Sequence, residues 1–556
     1  MALFPAPAEI RVAGEITTST KRLKTLVFGF AGEESMMPAV FSHILRRDRA
    51  AAWVLALVLA LAAGPALAQT RGSWNVDADG LWSGSSNWLS NTIAGGVSGT
   101  ATFANNITAT RTVTLDTNRS LGAFIFGDAD TASAASWIVT GSTMTMNNGT
   151  NSALLTVNAL GTGATATIST VLASSTSPSI IKNGVGTLVL SATNTFTGKL
   201  EITAGTLQVS TDRNLGGTGT FATDRIVISN GATLRTSAAV TMSGNRGITI
   251  GSGGGTLSAN GGNLTIAARL TGAGNTATVT GSNAVTLQNT SGIATDVNWD
   301  FSSNNGIRSF FEGADALGTG SVRVRSGVRL TSQSMTTGTL TNAVTLDDGA
   351  GITARSSGGA QTYTNVTLPS AGTLVFNKDD QATAALTIAS GKELTGNLTI
   401  DTSPGGSNAV GNVTLSGIFS GASGAIIKSG TGTSGRLILT GANTYGGNTT
   451  INTGTLQLGN GSTAGSLSTS SVITGSAGAT LAFNRSDTIT SGVDFNSAII
   501  GGINVAQVGS GTLVLTAANT IGKTSITNGV LQISKANQLG SAPGTFTADQ
   551  LTISNG

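Results

Sequence analysis

Three stretches of the sequence repeat nearly the same text, and this repetition constrains the fold more than any other feature. Residues 184–209 read GVGTLVLSATNTFTGKLEITAGTLQV, and residues 509–533 read GSGTLVLTAANTIGKTSITNGVLQI. Residues 430–458 carry a looser copy, GTGTSGRLILTGANTYGGNTTINTGTLQL. Each copy places a glycine-rich turn before an aliphatic strand, an Asn-Thr turn and two further strands. A unit this small cannot bury its own apolar face, so the repetition predicts a solenoid of stacked units.

The composition predicts an all-β chain. Glycine accounts for 77 of the 556 residues and only 10% are charged, while Thr, Ser, Asn and Gly alternate with Val, Ile and Leu. That mixture is typical of many short strands separated by tight turns. We expect a right-handed parallel β-helix with three strands per coil, and roughly 20–25 residues per coil give about 16–20 coils. An array of antiparallel β-sandwiches is the alternative, but the sequence has no obvious period of ~100 residues.

Charge and side-chain inventory exclude several functions. Residues 1–68 hold 7 of the 29 basic and 5 of the 26 acidic residues, which leaves 22 and 21 downstream, a net charge of +1. This balance gives no general attraction to nucleic acid. The chain has no cysteine, and its single histidine is His43. Catalytic Ser-His-Asp and Cys-His groups and zinc held by His or Cys are therefore excluded downstream, and we expect no cofactor.

Residues 36–68 have the pattern of a secretory signal peptide. Basic residues precede an apolar run at 50–63, and a small-x-small tripeptide follows, which predicts cleavage between Ala68 and Gln69. The apolar run of about 14 residues is shorter than the ~20 that a membrane-spanning helix needs, which disfavours an uncleaved anchor. The basic residues are Arg46, Arg47 and Arg49, and the tripeptide is Ala66-Leu67-Ala68.

Residues 1–35 form an upstream extension of uncertain status. Initiation at Met36 or Met37 would place the signal peptide at the amino terminus, where such peptides lie. An extended signal region is the other explanation. We prefer the later start.

Residues 69–140 differ from the rest of the chain by their tryptophans. Terminal units of solenoids are usually atypical because one end of the stacked core has to be covered. Large aromatic side chains cover much area each, so this region is interpreted as an aromatic N-terminal cap. An exposed platform on which sugars stack is the alternative. The tryptophans are Trp74, Trp82, Trp88 and Trp137.

Three pairs of carboxylates are the candidate positions for metal or acid–base chemistry. The first alternates carboxylates before a glycine, as a calcium loop does, but lacks the distal bidentate glutamate. The other two could serve a β-helical enzyme that acts on polysaccharides. All three lie beside turn residues, so we interpret them as turn aspartates that bond their own backbone. They are Asp77 and Asp79 before Gly80, Asp347 with Asp348, and Asp379 with Asp380.

Three arginines alternate in SVRVRSGVRL, namely Arg323, Arg325 and Arg329. On one continuous strand they would share a face, because side chains alternate with a period of two. They could bind an acidic polysaccharide, but a solvated outer face is the preferred interpretation.

The units at 180–216, 426–460 and 505–540 resemble the autotransporter-associated β-strand repeat, also called the passenger-associated transport repeat. The middle copy departs from the pattern at Ser434-Gly435-Arg436-Leu437 and recovers at Asn443-Thr444 and Gly454-Thr455-Leu456-Gln457. In the first copy the resemblance rests on Gly186-Thr187-Leu188, Leu190, Asn194-Thr195, Gly198, Ile202, Gly205-Thr206-Leu207-Gln208 and Leu215-Gly216. In the third it rests on Gly511-Thr512-Leu513, Leu515, Asn519-Thr520, Gly522, Ile526, Gly529-Val530-Leu531-Gln532 and Leu539-Gly540.

This resemblance implies a β-helical passenger over residues 141–556, whose repeats assist passage to the cell surface. It also implies an outer-membrane partner, either export machinery or a β-barrel; the sequence to 556 shows no barrel pattern, and we expect that the passenger is cut inside a repeat.

The leading functional hypothesis is an exported, non-enzymatic surface stalk or adhesin, which could contact surface polysaccharide or another cell. A β-helical polysaccharide-acting enzyme is the alternative. A secreted scaffold that self-associates through an exposed strand edge is a third possibility.

Overall fold

The computed structural model is a parallel β-solenoid of about 17 turns with about 3% helix, which confirms the all-β class and the expected number of coils. The predicted extension 1–35, the signal peptide 36–68 with Ala68, and the Asp379–Asp380 pair lie outside the described residues, so cleavage before Gln69 stays a prediction. The structure describes residues 69–174, 179–267, 269–288, 296–302, 308–313, 316–333, 338–355, 360–378, 385–403, 412–430, 435–545 and 548–554.

The strands follow one another around the coil in a fixed order, which defines three faces, here called I, II and III. Face I is a nine-stranded sheet followed by a ten-stranded sheet that takes the same place in the coil order. Its strands are Arg71–Ser73, Thr100–Phe103, Ala123–Phe126, Ala153–Val157, Ser179–Asn183, Lys199–Ile202, Ala222–Ile228, Arg246–Ile250 and Leu270–Thr271, then Gly338–Leu340, Gln361–Tyr363, Leu386–Ile388, Asn412–Leu415, Arg436–Leu439, Thr455–Leu458, Thr480–Phe483, Asn504–Gln507, Thr524–Ile526 and Leu551–Ile553.

Face II follows face I along the chain and consists of sheets with thirteen, two and three strands. Its strands are Gly80–Leu81, Arg111–Leu115, Trp137–Gly141, Ala166–Ile168, Thr187–Leu190, Thr206–Val209, Thr233–Thr236, Gly255–Ala259, Thr276–Gly281, Asn298–Phe301, Val322–Val324, Val344–Leu346 and Val366–Thr367; then Lys392–Glu393 and Phe419–Ser420; then Thr488–Thr490, Thr512–Val514 and Val530–Gln532.

Face III closes the coil with sheets of three and eleven strands. In the part of the chain that the structure describes, the sheets are accompanied by the short 3-10 helices Ser85–Asn87, Leu89–Asn91, Asp212–Leu215 and Ala536–Leu539. The strands of face III are Arg119–Leu121, Met144–Met146 and Leu172–Ser174, then Val240–Met242, Leu264–Ile266, Val285–Leu287, Arg308–Glu312, Arg329–Gln333, Gly351–Arg355, Gly372–Lys378, Asn397–Asp401, Ala425–Ser429, Thr449–Ile451 and Ile473–Gly475.

The core is built by inward side chains that align from coil to coil. On face II, Leu188 pairs in register with Leu207, which pairs with Leu234, and all three side chains are fully buried. Because side chains alternate along a strand, the residues between them point outward and remain partly exposed. Every ladder between the strands given above is parallel, which is the arrangement of a solenoid and excludes the β-sandwich alternative.

The predicted aromatic region at the N-terminal end is a packed cluster. Trp74 and Trp88 meet edge to face with ring centroids 5.3 Å apart, and Trp82 lies 5.0 Å from Trp88. Trp137 packs on Phe103 at 5.5 Å. All four tryptophans are at most 2% exposed, so none offers a face to a sugar, and the platform alternative is wrong.

No helix among the described residues is long and apolar enough to cross a membrane.

Candidate functional site

The three repeats share one local architecture that distinguishes them from the other coils. In repeat 1 a face I strand and a face II strand are followed by the Asn194-Thr195 turn, where other coils place a face III strand. The next coil again has two strands, and the 3-10 helix Asp212–Leu215 takes the third place. The expectation of three strands in every coil is therefore wrong at the repeats, because a side-chain-bonded corner replaces one strand.

A buried asparagine forms this corner and joins three successive coils. The Leu172 amide of the preceding coil donates to Asn194 Oδ1 at 2.8 Å, and Asn194 Nδ2 donates to the Asn214 carbonyl of the following coil at 2.6 Å. An amide side chain both accepts and donates, so it replaces the two ladder bonds that a strand would have made.

The other two repeats place an asparagine in the same way. The Phe419 amide donates to Asn443 Oδ1 at 2.9 Å, and Asn443 Nδ2 donates to the Ser466 carbonyl at 3.0 Å. In repeat 3 the Ile499 amide donates to Asn519 Oδ1 at 2.8 Å, and Asn519 Nδ2 donates to the Gln538 carbonyl at 2.7 Å.

The asparagine corner does not belong to one face of the solenoid. Repeats 1 and 3 begin on face I and place their corner where face III would lie. Repeat 2 begins with the face III strand Ala425–Ser429, so its corner takes the place of face II. The repeat is therefore a pair of two-stranded coils that can begin on different faces of the solenoid.

Buried arginines hold the loop that follows two of the repeats. Arg246 pairs with Asp212 (Nε–Oδ1 2.8 Å) and donates to the Leu215 and Gly216 carbonyls at 2.8 and 2.9 Å. Arg485 donates to the Gly465 carbonyl at 3.2 Å while it also binds an aspartate. Each arginine comes from the coil after the loop, so stacking of that coil fixes the corner.

Lysines occupy an equivalent buried position in repeats 1 and 2. Lys182 Nζ donates to the carbonyls of Asn183, Gly184 and Ala204 at 3.0, 2.8 and 2.8 Å. Lys428 Nζ donates to the Ser429 and Thr453 carbonyls at 2.8 and 3.1 Å. Both side chains are at most 2% exposed.

Burial also sets the protonation of these lysines. Desolvation lowers the pKa of Lys182 and of Lys428 to about 8, and the nearby Asp401 opposes this shift at Lys428. Both ammonium groups therefore keep their protons at neutral pH. Sequence reasoning missed them, although a lysine after two isoleucines at the same point of two repeats (IIKNG and IIKSG) was a visible signal.

Replacing Asn194 by Ala is expected to destabilise the first repeat by about 2–4 kcal/mol, because a buried amide and a buried carbonyl lose their partners. Chemical denaturation followed by hydrogen exchange of peptides covering 172–215 measures this. Asn245→Ala is the matched control: Asn245 is exposed and its side chain donates to the Gly219 carbonyl at 3.2 Å, so we expect a change within ~0.5 kcal/mol. Equal effects of the two substitutions would contradict the bridging role of Asn194.

Stability is expected to rise between pH 8 and pH 10. In this window the unfolded chain binds more protons at the two lysines than the folded chain does, because the folded pKa is the lower one. The gain should be about 2 kcal/mol for each of the two lysines. Above pH 10 stability should fall again with rising pH. Burial raises the pKa of Tyr363 and Tyr445 in the folded chain, so the unfolded chain loses these protons at lower pH. Denaturation midpoints at stepped pH test this, and a Lys182→Gln/Lys428→Gln variant should show no rise.

The first predicted acidic pair bonds a neighbouring coil instead of its own turn, which corrects the turn interpretation. Arg111 Nε donates to Asp77 Oδ1 at 2.6 Å, and the Thr112 amide donates to Asp79 Oδ1 at 2.8 Å. The hydrogen bond from Arg111, supported by Thr108, lowers the pKa of Asp77 to about 2. These carboxylates are thus coil-to-coil links.

The second acidic pair behaves in the same way. Asp347 forms an ion pair with Arg323 (3.1 Å between Oδ2 and Nη2), and Asp348 accepts from the Thr373 amide at 2.7 Å. Among the described residues, no three His, Cys, Asp or Glu side chains are grouped as metal ligands would be.

The expectation that the three arginines share one face is wrong. Arg323 lies on the face II strand Val322–Val324, and Arg325 directly follows it and pairs with Asp300 (Nη2–Oδ2 2.7 Å). The chain turns at Ser326–Gly327, and Arg329 begins a face III strand. The alternating arginines therefore lie on both sides of a corner of the coil and not on one strand.

Comparison with known proteins places the repeats in a family. The passenger-associated-transport-repeat family matches residues 180–209, 426–458 and 505–533, each of which contains one of the asparagine corners described above. The chain is also similar to the adhesin BmaC autotransporter of Brucella suis biovar 1 (strain 1330), with 31% identity over 196 residues. This match covers 33% of the present chain and 5% of the relative. No solved structure matches the chain.

Proposed function

Because the chain carries three passenger-associated transport repeats within a parallel β-solenoid, we propose that it is an exported passenger serving as a non-enzymatic surface stalk or adhesin. The observation that carries the proposal is the coincidence of the matched segments with the two-stranded coils and their asparagine corners. The similarity to part of an autotransporter adhesin supports a surface role. We further propose that the signal peptide 36–68 directs the chain to export and is cleaved after Ala68.

The proposed mechanism of the repeats is stepwise stacking. Each asparagine, arginine and lysine described above binds one coil to the next through groups that are satisfied only when the following coil is in place. A solenoid gains stability coil by coil, since each unit contacts only its neighbours. Coils that stack after passage would hinder return of the chain through the exporter.

The outer surface supports a contact role of low charge. On face II five outward threonines follow one another in register across successive coils, separated by the strand spacing of ~4.8 Å. The threonines are Thr187, Thr206, Thr233, Thr256 and Thr278.

The described aspartates of the two predicted pairs are bound to neighbouring coils, which favours the structural role over the polysaccharide-acting enzyme.

Export is tested by labelling cells of the producing bacterium with an antibody against the solenoid. Intact cells should be labelled as strongly as permeabilised cells, and external protease should remove the label. Labelling only after permeabilisation would refute a surface location. The mature amino terminus, read by mass spectrometry, should begin at Gln69 if the cleavage proposal holds.

Adhesion is tested with a gene-deletion strain complemented by matched variants. Thr206→Arg with Thr233→Arg places two large charges on face II and should lower adherence to cells or to immobilised polysaccharide at least about tenfold. Thr249→Arg with Thr271→Arg alters a corresponding outward pair on face I, whose hydroxyls lie 3.1 Å apart. Surface amounts should be equal in both strains. If the deletion strain adhered as well as the parent strain, the adhesin proposal would be refuted and the stalk proposal would remain.

A further inference from the structure

The turn between the first two strands of each repeat presents backbone carbonyl oxygens toward one buried point. In repeat 1 these oxygens belong to Asn183 and Gly184 of the turn and to Ala204 of the next coil, and Lys182 Nζ lies at hydrogen-bonding distance from all three. In repeat 2, Lys428 Nζ lies between Ser429 of the turn and Thr453 of the next coil. We call this arrangement the carbonyl cage.

Repeat 3 places a different side chain at the corresponding turn carbonyls. Gln507 holds the position of the lysines, and its Nε2 donates to the Gly509 and Gly511 carbonyls, both at 2.9 Å. The site therefore selects for N–H donors and not for one side chain. A buried N–H donor on the turn carbonyls therefore recurs in all three repeats, and the two lysines also bond a carbonyl of the next coil.

We propose that the carbonyl cage is a cation-binding site for an ammonium-sized monovalent ion, which Lys182 and Lys428 fill from within the chain. Rings of backbone carbonyls replace the hydration shell of such ions in ion channels, so the chemistry of the oxygen set fits. Among the described residues, no carboxylate acts on the Lys182 ammonium and Asp401 is the one that acts on Lys428. A divalent cation would require more charge from its ligands than these carbonyls supply.

The cage also links coils, because its oxygens come from both sides of a stacking interface. Without the Ala204 carbonyl, the Lys182 ammonium would face the next coil with one partner missing, and a buried charge that lacks partners is costly. Occupancy of the cage thus couples repeat 1 to the coil that follows. This inference concerns the fold of the repeat and stands whether or not the chain is an adhesin.

Vacating the cage and offering a free cation tests the proposal. In Lys182→Ala, hydrogen exchange of peptides covering 179–209 should accelerate at least about tenfold, and ammonium or potassium chloride should slow it again in a saturable way. Choline chloride at equal ionic strength should not slow the exchange, because choline is too large for the cage. Lys199→Ala is the matched control, since Lys199 is a partly exposed lysine paired with Asp224 at 2.6 Å.

A second variant keeps the proposal testable if Lys182→Ala fails to fold. Lys182→Gln copies the occupant of repeat 3, and it should keep the protection of the natural chain and show no response to ammonium. Equal acceleration in Lys182→Gln and Lys182→Ala would overturn the proposal, as would unchanged exchange in Lys182→Ala. An identical effect of choline and ammonium on the Lys182→Ala chain would also overturn it.

Discussion

Replacing Leu188 by Asp is expected to unfold the first repeat and its neighbouring coils, with a loss of more than ~5 kcal/mol. The Leu188 side chain is fully buried and stacks in register between Ala166 and Leu207. A carboxylate there would lose the burial of the leucine and would lie without partners in an apolar core. Because solenoid coils depend on their neighbours, we expect the damage to spread along the stack from residue 188.

The matched control for this prediction is Thr187→Asp, one residue earlier on the same strand. Thr187 points outward and is partly exposed, so its substitution should change stability by no more than ~1 kcal/mol. Circular dichroism and hydrogen exchange of peptides covering 166–209 measure both variants. A Leu188→Asp chain as protected as Thr187→Asp would contradict the register of face II. Leu513→Asp should repeat the result in the third repeat, because Leu513 is also fully buried.

Replacing Gly205 by Ala is expected to cost about 3–5 kcal/mol, which is large for the addition of one methyl group. Gly205 has φ of 63°, a conformation that costs other residues energy. A Cβ atom there would also lie 2.5 Å from the Gly184 carbonyl oxygen and 2.6 Å from that of Gly186. Both atoms belong to the backbone of the preceding coil, so relief would require the two coils to separate.

Gly231→Ala separates the two causes. Gly231 has φ of 72°, close to that of Gly205, but a Cβ atom there would have no neighbour within 4 Å. It should therefore cost only about 1 kcal/mol, the price of the backbone conformation alone. Denaturant unfolding and hydrogen exchange at residues 184–209 compare the two variants. Equal losses would show that close stacking of the coils is not what requires glycine at 205.

The repeat motif can now be explained position by position. The glycine two residues before Leu-Gln lies close to backbone carbonyls of the preceding coil in all three repeats: a Cβ atom at Gly205 or Gly529 would contact two of them, and one at Gly454 would lie 2.9 Å from the Gly435 oxygen. The asparagine of the Asn-Thr pair makes the corner that replaces a strand. The leucine of Gly-Thr-Leu fills the core in the first and third repeats. Each of these recurrent residues therefore has a role in stacking one coil on the next.

Several outcomes followed from local chemistry that the sequence displays. The repetition of short strands and glycine-rich turns predicted parallel stacking, because strand and turn preferences are local properties. The clustered tryptophans predicted a packed end region for the same reason: large apolar rings gain most from burial. The repeated segments are also those that the passenger-associated-transport-repeat family matches.

Only the tertiary structure determined which residues of neighbouring coils are in contact. Arg329 follows Arg325 by four residues, yet a corner of the coil places the two on different faces, and Asp77 binds Arg111 of the next coil. The roles of Asn194 and Lys182 depend on carbonyl and amide groups about 20 residues away, which no local pattern reveals. The repetition in the sequence thus determined that coils stack, because periodicity is encoded locally. The bonds that join one coil to the next depend on the register between coils, and that register exists only in the folded chain.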